Sequence, residues 1–327
     1  MPRPHLARVL VTGASGTLGY NIVRHLGLTH PSTHVHVLMR TLDPTLFADL
    51  PNVVLEQVDL ADFTASRRAV LAFEPNAILH CAASGVRPSR IGWFAQIQLN
   101  VSATIALFEA SCAIPDCHFI HVSTGLVYSG QDRASGEARP CREHDPIDTL
   151  HPYGASKAAA DCLLRAGAER LHRHLTVVRP FSFTGLHDGG DRLFPSLLRA
   201  AAHGAPLPLS AGTQIRDFCA VQDVAEAIVL MLEAGTVAGR DTFNLGSNQS
   251  IPLRELVQSV CAQLGLAVDL QFGALPFHPL EPLHLVADIG LARTLGWQPR
   301  TNLAWAVWQL ARSQFPALKV REPKRYH

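Results

Sequence analysis

Arg8-Val9-Leu10-Val11-Thr12-Gly13-Ala14-Ser15-Gly16-Thr17-Leu18-Gly19 decides the fold of this chain. A short run rich in β-branched residues, Arg8 to Thr12, breaks into a turn with three glycines and then into an apolar helical pattern from Leu18 to Leu26. A tight turn, a close approach of backbone to a diphosphate and close helix packing each call for a residue without a side chain, which Gly13, Gly16 and Gly19 supply. The helix that follows offers free amides and the positive end of its dipole to an anion. Ser15, Thr17 and Leu18 complete the candidate cofactor turn, and a dinucleotide is the ligand it fits.

The alternation continues outward from this turn. Strands are expected at Val35 to Met39, Val53 to Val58, Ala77 to Cys81, His118 to Val122 and Leu175 to Arg179. Helical patterns lie between them at Ala65 to Phe73, Trp93 to Ser111 and Tyr153 to His172. Alternating β and α units predict an α/β fold, a doubly wound parallel sheet of the Rossmann type with its crevice at the strand C-termini. After Pro180 the spacing becomes irregular, with helical patterns at Phe194 to Ala202, Val221 to Leu232, Leu253 to Leu264 and Ile289 to Leu295. The expected division is a dinucleotide-binding domain over 1–180, a smaller, mostly helical substrate lobe over 181–318 that can interleave with the first, and a basic, frayed tail over 319–327. The polar loop from Gly130 to Arg139 is expected to be exposed.

At 327 residues and 47% hydrophobic content the chain can bury a sizeable core. A net charge of +1 gives no electrostatic case for nucleic acid or an anionic membrane. The seven cysteines (81, 112, 117, 141, 162, 219, 261) are scattered without a C-x2-C pair, which predicts reduced, mostly buried thiols and no metal site. Among 17 histidines, neither the pair His34/His36 nor His172/His174 has an evident third ligand. No apolar run is long enough to span a membrane, and the N-terminus enters the first strand without a separate apolar leader, so a cytoplasmic setting is expected.

Tyr153 and Lys157, in His151-Pro152-Tyr153-Gly154-Ala155-Ser156-Lys157, stand out against this composition. There are 4 tyrosines and three lysines, the other lysines being 319 and 324 near the C-terminus, whereas arginine is abundant. Chance would supply roughly 0.04 Tyr-x3-Lys pairs. Residues four apart share a helix face, so a helix starting at Pro152 sets phenol beside ammonium. A free phenol titrates near pH ~10, and a cation a few ångströms away favours the phenolate. The pair reads as a tunable proton donor and acceptor. The second strand ends Met39-Arg40-Thr41, a cation and a hydroxyl where a free ribose 2′-hydroxyl is usually met by an acid, so NADP(H) is favoured over NAD(H), with Asp43 as the opposing feature.

With these elements in place the sequence resembles the extended short-chain dehydrogenase/reductases of the NAD-dependent epimerase/dehydratase type, and the resemblance spans nearly the whole chain. Asp59-Leu60 is similar to the pair that contacts adenine, His80-Cys81-Ala82-Ala83 to the turn after the fourth strand, and Asn100 to an asparagine of the next helix. Ser123 to Tyr128 matches the segment whose hydroxyl four residues before the tyrosine is catalytic, hence Thr124; Arg179-Pro180-Phe181 matches the turn that introduces the substrate lobe. Arg216-Asp217-Phe218 matches a segment whose arginine grips the diphosphate of a nucleotide-sugar, and Asp288 to Trp297 matches the C-terminal signature. The resemblance implies hydride transfer between nicotinamide and a sugar carbon, Tyr153 exchanging the proton, Thr124 polarising the same oxygen and Lys157 binding the nicotinamide ribose. It also implies a homodimer through the helices Trp93 to Ser111 and Tyr153 to His172. Cofactor-sensing relatives without turnover typically lack the Tyr/Lys pair, which this chain keeps.

Departures from the family pattern narrow the chemistry. Sugar 4,6-dehydratases carry an Asp-Glu acid/base pair after the threonine; here the positions are Gly125-Leu126. Reductases resembling GDP-fucose synthase pair a cysteine at the position of Leu126 with a histidine, of which only His187 is present, either orienting substrate or standing in an exposed loop. Ser182 replaces a usual asparagine, and His278-Pro279 stands where an arginine often sits. Ser84, Val86 and His187 are candidates for shaping the substrate pocket. Two reactions need only Thr124, Tyr153 and Lys157: NADPH-dependent reduction of a 4-keto-6-deoxy nucleotide-sugar, which Arg40 favours, and NAD-dependent 4-epimerisation. A reductase of small non-sugar carbonyls fits Arg216 less well.

Overall fold

The computed structural model describes residues 6–84, 92–129, 138–149, 151–235, 242–277 and 281–326. Val86, His278, Pro279 and most of the loop from Gly130 to Arg139 lie outside the described residues. The glycine-rich turn joins β1 (Arg8–Thr12) to α1 (Thr17–Thr29). The alternation then runs through β2 (His34–Met39), β3 (Val53–Gln57), α2 (Phe63–Phe73) and β4 (Ala77–His80). Next come α3 (Trp93–Ile97), a π-helical stretch Gln98–Ala103, α4 (Thr104–Ser111), β5 (His118–Val122), α5 (Pro152–Leu171) and β6 (Leu175–Pro180).

Seven parallel strands form the central sheet in the order β11-β6-β5-β4-β1-β2-β3, where β11 is Thr242–Leu245. Strands β4, β5 and β6 are buried along their whole length, as parallel strands covered on both faces must be. The winding reverses between β1 and β4, whose ends Thr12 and His80 are paired, and a crevice opens there. Ile22 and Leu26 of α1 share a core with Val224 and Ile228 of α7 (Val221–Ala234), while Val70, Leu107 and Leu164 line the opposite face.

After Pro180 the chain returns to the sheet through α7 and β11, so the residues after 180 interleave with the first domain. The seventh strand escapes a reading of periodicity because Thr242-Phe243-Asn244-Leu245 has four residues, all buried, and no alternation. The lobe itself is built on α6 (Leu193–His203), α8 (Leu253–Leu264) and α10 (Leu303–Gln314), which share a separate core including Phe194, Val257 and Val307. Its helices are accompanied by several very short strands. β7 (Ser182–Thr184) pairs with β10 (Phe218–Ala220), and β8 (Leu207–Leu209) with β13 (Leu270–Phe272). β9 (Ile215–Arg216) lies between β12 (Ile251–Pro252) and β14 (His284–Leu285). The helix expected at Ile289 to Leu295 is reduced to α9 (Gly290–Arg293).

The expected frayed tail is also corrected. The Arg321 amide donates to Leu264 O at 2.8 Å, Asn302 N donates to Arg325 O at 2.8 Å, and the Arg325 guanidinium lies 4.8 Å from the Trp305 ring centre. The tail is thus held against the lobe at Arg321 and Arg325. Among the described residues, no helix is long and apolar enough to cross a membrane.

Candidate active site

The cofactor turn is shaped by contacts that exclude side chains. Gly13 has φ +76°, and a Cβ there would lie 2.5 Å from the amide nitrogen of Ala82; a Cβ on Gly19 would lie 2.4 Å from the carbonyl oxygen of Gly13. β1, the turn after β4 and α1 therefore meet backbone to backbone. The first turn of α1 has no acidic residue and no side-chain cap, which leaves its amides to a ligand. Behind the turn, buried His80 bonds Thr12 Oγ1 and Thr104 Oγ1, both at 2.8 Å. The Thr104 hydroxyl donates to Asn100 O at 2.9 Å, so His80 donates from Nε2 and accepts from Thr12 at Nδ1. Burial holds this imidazole down to about 3, hence neutral.

The reactive end is assembled where β5 gives way to a 3-10 turn, Gly125–Val127. Thr124 caps that turn, its Oγ1 accepting from Leu126 N at 3.2 Å. The turn is pressed from both sides. A Cβ on Gly125 would lie 2.8 Å from the Phe181 ring, and one on Gly154 would lie 2.3 Å from Leu126 O. The N-terminal turn of α5, with Pro152 at its start, is thereby seated on the Thr124 segment and brings Tyr153 to the same wall. His151 meets Tyr153 edge-on, ring centres 6.4 Å apart.

Tyr153 is buried, and burial pushes its phenol up to about 12; the Arg192 guanidinium opposes this and Asp161 adds to it. Arg192 is thus a cation acting on the phenol, and Lys157 stands one helical turn after Tyr153 on α5, both residues buried. Lys157 is fully buried, its Nζ has no hydrogen-bond partner among the described residues, and burial draws it down to about 8 against the opposing charges of Asp161 and Cys81. A buried ammonium without a partner, beside a turn whose glycines leave room for a diphosphate, fits a nicotinamide dinucleotide whose ribose hydroxyls would accept from Nζ. When bound, that group supplies a hydride acceptor or donor.

A cavity of about 1190 Å³ runs from the turn to the lobe. Of the expected residues, Gly13, Gly16, Thr17, Leu18, Gly19, Cys81, Ala83, Thr124, Tyr153, Pro180, Ser182 and Arg216 line it. Others stand elsewhere. Asn100 is fully buried, exchanges hydrogen bonds of 2.8 Å with the backbone of Ser84 at both N and O, and donates to Ser156 at 2.9 Å. It therefore clamps the loop after β4, and neither Asn100 nor Ser84 lines the cavity. His187, for which orienting substrate and standing in an exposed loop were both open, does not line this cavity: it stacks on Tyr20 at 4.2 Å and bonds Ser15 O at 3.2 Å. Arg40, Asp59 and Ser15 are exposed and do not line the cavity; Gln57 donates to Arg40 O at 3.1 Å and Asp59 accepts from Ala61 N at 3.0 Å, while Leu60 is buried.

Three cavity residues were missed in the sequence, two of them without a signal there. Arg192 is held by Asp188 at 2.9 Å and donates to Phe183 O at 2.7 Å; its position depends on a loop that folds back on α1, and in sequence it is one arginine among many. Glu281 pairs with Arg216 at 2.6 Å. His151 carried a signal, being adjacent to the Tyr-x3-Lys segment.

The fold and cavity define a dinucleotide-dependent enzyme with its reactive groups on β5 and α5. A model of the NAD dependent epimerase/dehydratase family matches residues 9–246. The chain belongs to that family. It is 31% identical over 319 residues to dTDP-glucose 4,6-dehydratase of Neisseria gonorrhoeae, covering 89% of this chain and 90% of the relative. Among solved structures, UDP-glucuronic acid 4-epimerase of Bacillus cereus, in complex with UDP-glucuronic acid and NAD, is 25% identical with a TM-score of 0.80, covering 93% of this chain and 97% of the other. UDP-glucose 4-epimerase of Thermus thermophilus in complex with NAD is 25% identical with a TM-score of 0.80, covering 94% and 99%.

Proposed function

We propose that this chain exchanges hydride and proton at one carbinol, the C4 position of a nucleotide-sugar, and that the reaction is an NAD-dependent 4-epimerisation. The observation that carries this reading is the Gly125–Phe181 contact. The place where a dehydratase keeps its acid/base pair is occupied by a glycine with an aromatic ring 2.8 Å from its missing Cβ, followed by Leu126. Dehydration is disfavoured, because neither Gly125 nor Leu126 can shuttle a proton. Tyr153, as the phenolate that the Lys157 ammonium would favour, would take the C4 hydroxyl proton while the hydride passes from C4 to bound NAD⁺; Thr124 would donate to the same oxygen, and return of that hydride and proton on the opposite face of the 4-keto sugar would give the 4-epimer. Arg216, freed from Glu281, meets the diphosphate.

A second reading rests on Arg40 at the tip of β2, which suits a 2′-phosphate and with it NADPH-dependent reduction of a 4-keto-6-deoxy nucleotide-sugar. Incubation with UDP-glucose, UDP-glucuronic acid and dTDP-glucose separates the readings. The 4-epimer is expected without added cofactor. A 4-keto-6-deoxy product from dTDP-glucose would overturn the proposal, and NADPH oxidation by 4-keto sugars would install the second. A homodimer is proposed through the apolar surface of Trp93 and Phe94, both 73% exposed, with Ile97 and Leu163.

A further inference from the structure

Behind Lys157 the sheet and α5 enclose a polar cluster without solvent access. Asp161 lies one helical turn after Lys157 on the same helix, and both are fully buried. Its Oδ2 accepts three hydrogen bonds, from Ser123 Oγ at 3.0 Å and from Arg179 Nε and Nη2 at 3.2 and 3.1 Å. Its Oδ1 accepts none and stands 3.6 Å from His121 Nε2. Lys157 Nζ and both ring nitrogens of His121 are likewise without hydrogen bonds among the described residues.

The groups around Lys157 come from every neighbouring element. They are His80 and Cys81 at the end of β4, His121 and Ser123 at β5, Tyr153 and Asp161 on α5, and Arg179 on β6, which also donates to Tyr128 Oη at 2.7 Å. Both histidines are held neutral by burial. Arg179 is a second cation. Burial raises the Asp161 carboxyl, and Arg179, Ser123 and Lys157 oppose that rise, so Asp161 is the acidic group on Lys157's own helix face, with its charge held by those partners. An ammonium taken out of water tends to shed its proton unless a counter-charge holds it, and a neutral amine neither favours a phenolate nor presents three donors to a ribose.

We propose that Asp161 is a positioning residue for the reaction: fixed by Arg179 and Ser123, its buried carboxylate keeps Lys157 an ammonium through turnover. The proposal rests on Tyr153 and Lys157 being the proton-handling pair, and it goes beyond the assignment of that pair. A role confined to folding is the alternative, and the two differ in what they do to Lys157.

The composition supplies a direct probe, since the other lysines are only 319 and 324. Protein labelled with ε-¹³C-lysine and saturated with NAD⁺ shows three side-chain signals to follow against pH. In Asp161→Asn the Lys157 signal is expected to titrate lower than in the wild type by about one pH unit or more, the effect of losing a nearby opposite charge. Lys319 and Lys324 should stay in place, and the alkaline limb of the activity profile should move down with Lys157. A folded Asp161→Asn protein with an unmoved Lys157 titration would overturn the proposal. Should that variant not fold, the wild type still decides, because a Lys157 that is already neutral at pH 7 has no ammonium to maintain. No substrate enters the lysine measurement, so full activity in Tyr153→Phe would discard the reading of the site while leaving the titration interpretable.

Discussion

Replacing Lys157 with methionine keeps the length and bulk of the side chain and removes its charge from a place where charge is costly. Burial draws the ammonium from 10.5 to about 8. At 1.36 kcal/mol per pH unit this corresponds to about 3 kcal/mol by which the folded, ligand-free protein disfavours the charged form. The sign follows from proton counting. Between pH 8 and 10.5 the unfolded chain holds a proton that the folded one lacks, so stability rises with pH through that window, and the penalty is fully present below pH 8. Lys157→Met is therefore expected to melt higher than the wild type at neutral pH in the absence of dinucleotide. With an unfolding entropy of about 2.1 cal/mol/K per residue over 327 residues, about 3 kcal/mol corresponds to about 4 °C. Differential scanning calorimetry of extensively dialysed protein, repeated from pH 7 to 10, measures it, and the gap should close toward the alkaline end. The same variant should bind NAD⁺ at least tenfold more weakly. A lower melting temperature for Lys157→Met at pH 7 would refute the reasoning, because it would mean that the ammonium stabilises the free protein.

Tyr153→Phe should leave dinucleotide binding within about twofold and lower turnover by about two orders of magnitude or more, measured by epimer formation against cofactor fluorescence titration. Gly125→Asp should not create a dehydratase: the new Cβ meets the Phe181 ring at 2.8 Å, and about 1–3 kcal/mol of stability is expected to be lost, recovered in part by Phe181→Ala, as read from denaturant midpoints. Phe94→Glu should raise the monomer fraction in sedimentation velocity without lowering the melting temperature of the monomer, since the side chain is largely solvent-facing.

Residues whose constraint is local could be read from sequence. β1, β5 and α8 fall on the bounds that periodicity and punctuation predict, and the demands on Gly13 and Gly19 come from neighbours supplied by adjacent elements of one β-α-β unit. Reading failed where the constraint is distant. β11 is a strand only because β6 offers it an edge, more than sixty residues back, and Arg192 reaches the site only because the segment after β7 folds onto α1. The place of His187 stayed open for the same reason: its partner is Tyr20, and nothing near position 187 announces a ring on the first helix. α10 is different, since Leu303, Ala304, Val307, Leu310 and Ala311 repeat at helical spacing behind Asn302, whose side chain accepts from Ala304 N; that signal was present in the sequence.

The segment that carries His187 and Arg192 is seated on the outer surface of the turn meant for the diphosphate. Asn21 donates to Leu186 O at 2.7 Å, Thr17 donates to Asp188 at 3.3 Å, and His187 bonds Ser15 O, so the first turn of α1 is held by the lobe from above. The turn that would carry the diphosphate is therefore braced by a segment more than 150 residues away in sequence, and a substitution that unseats this segment should loosen the first turn of α1 while leaving the sheet beneath it intact.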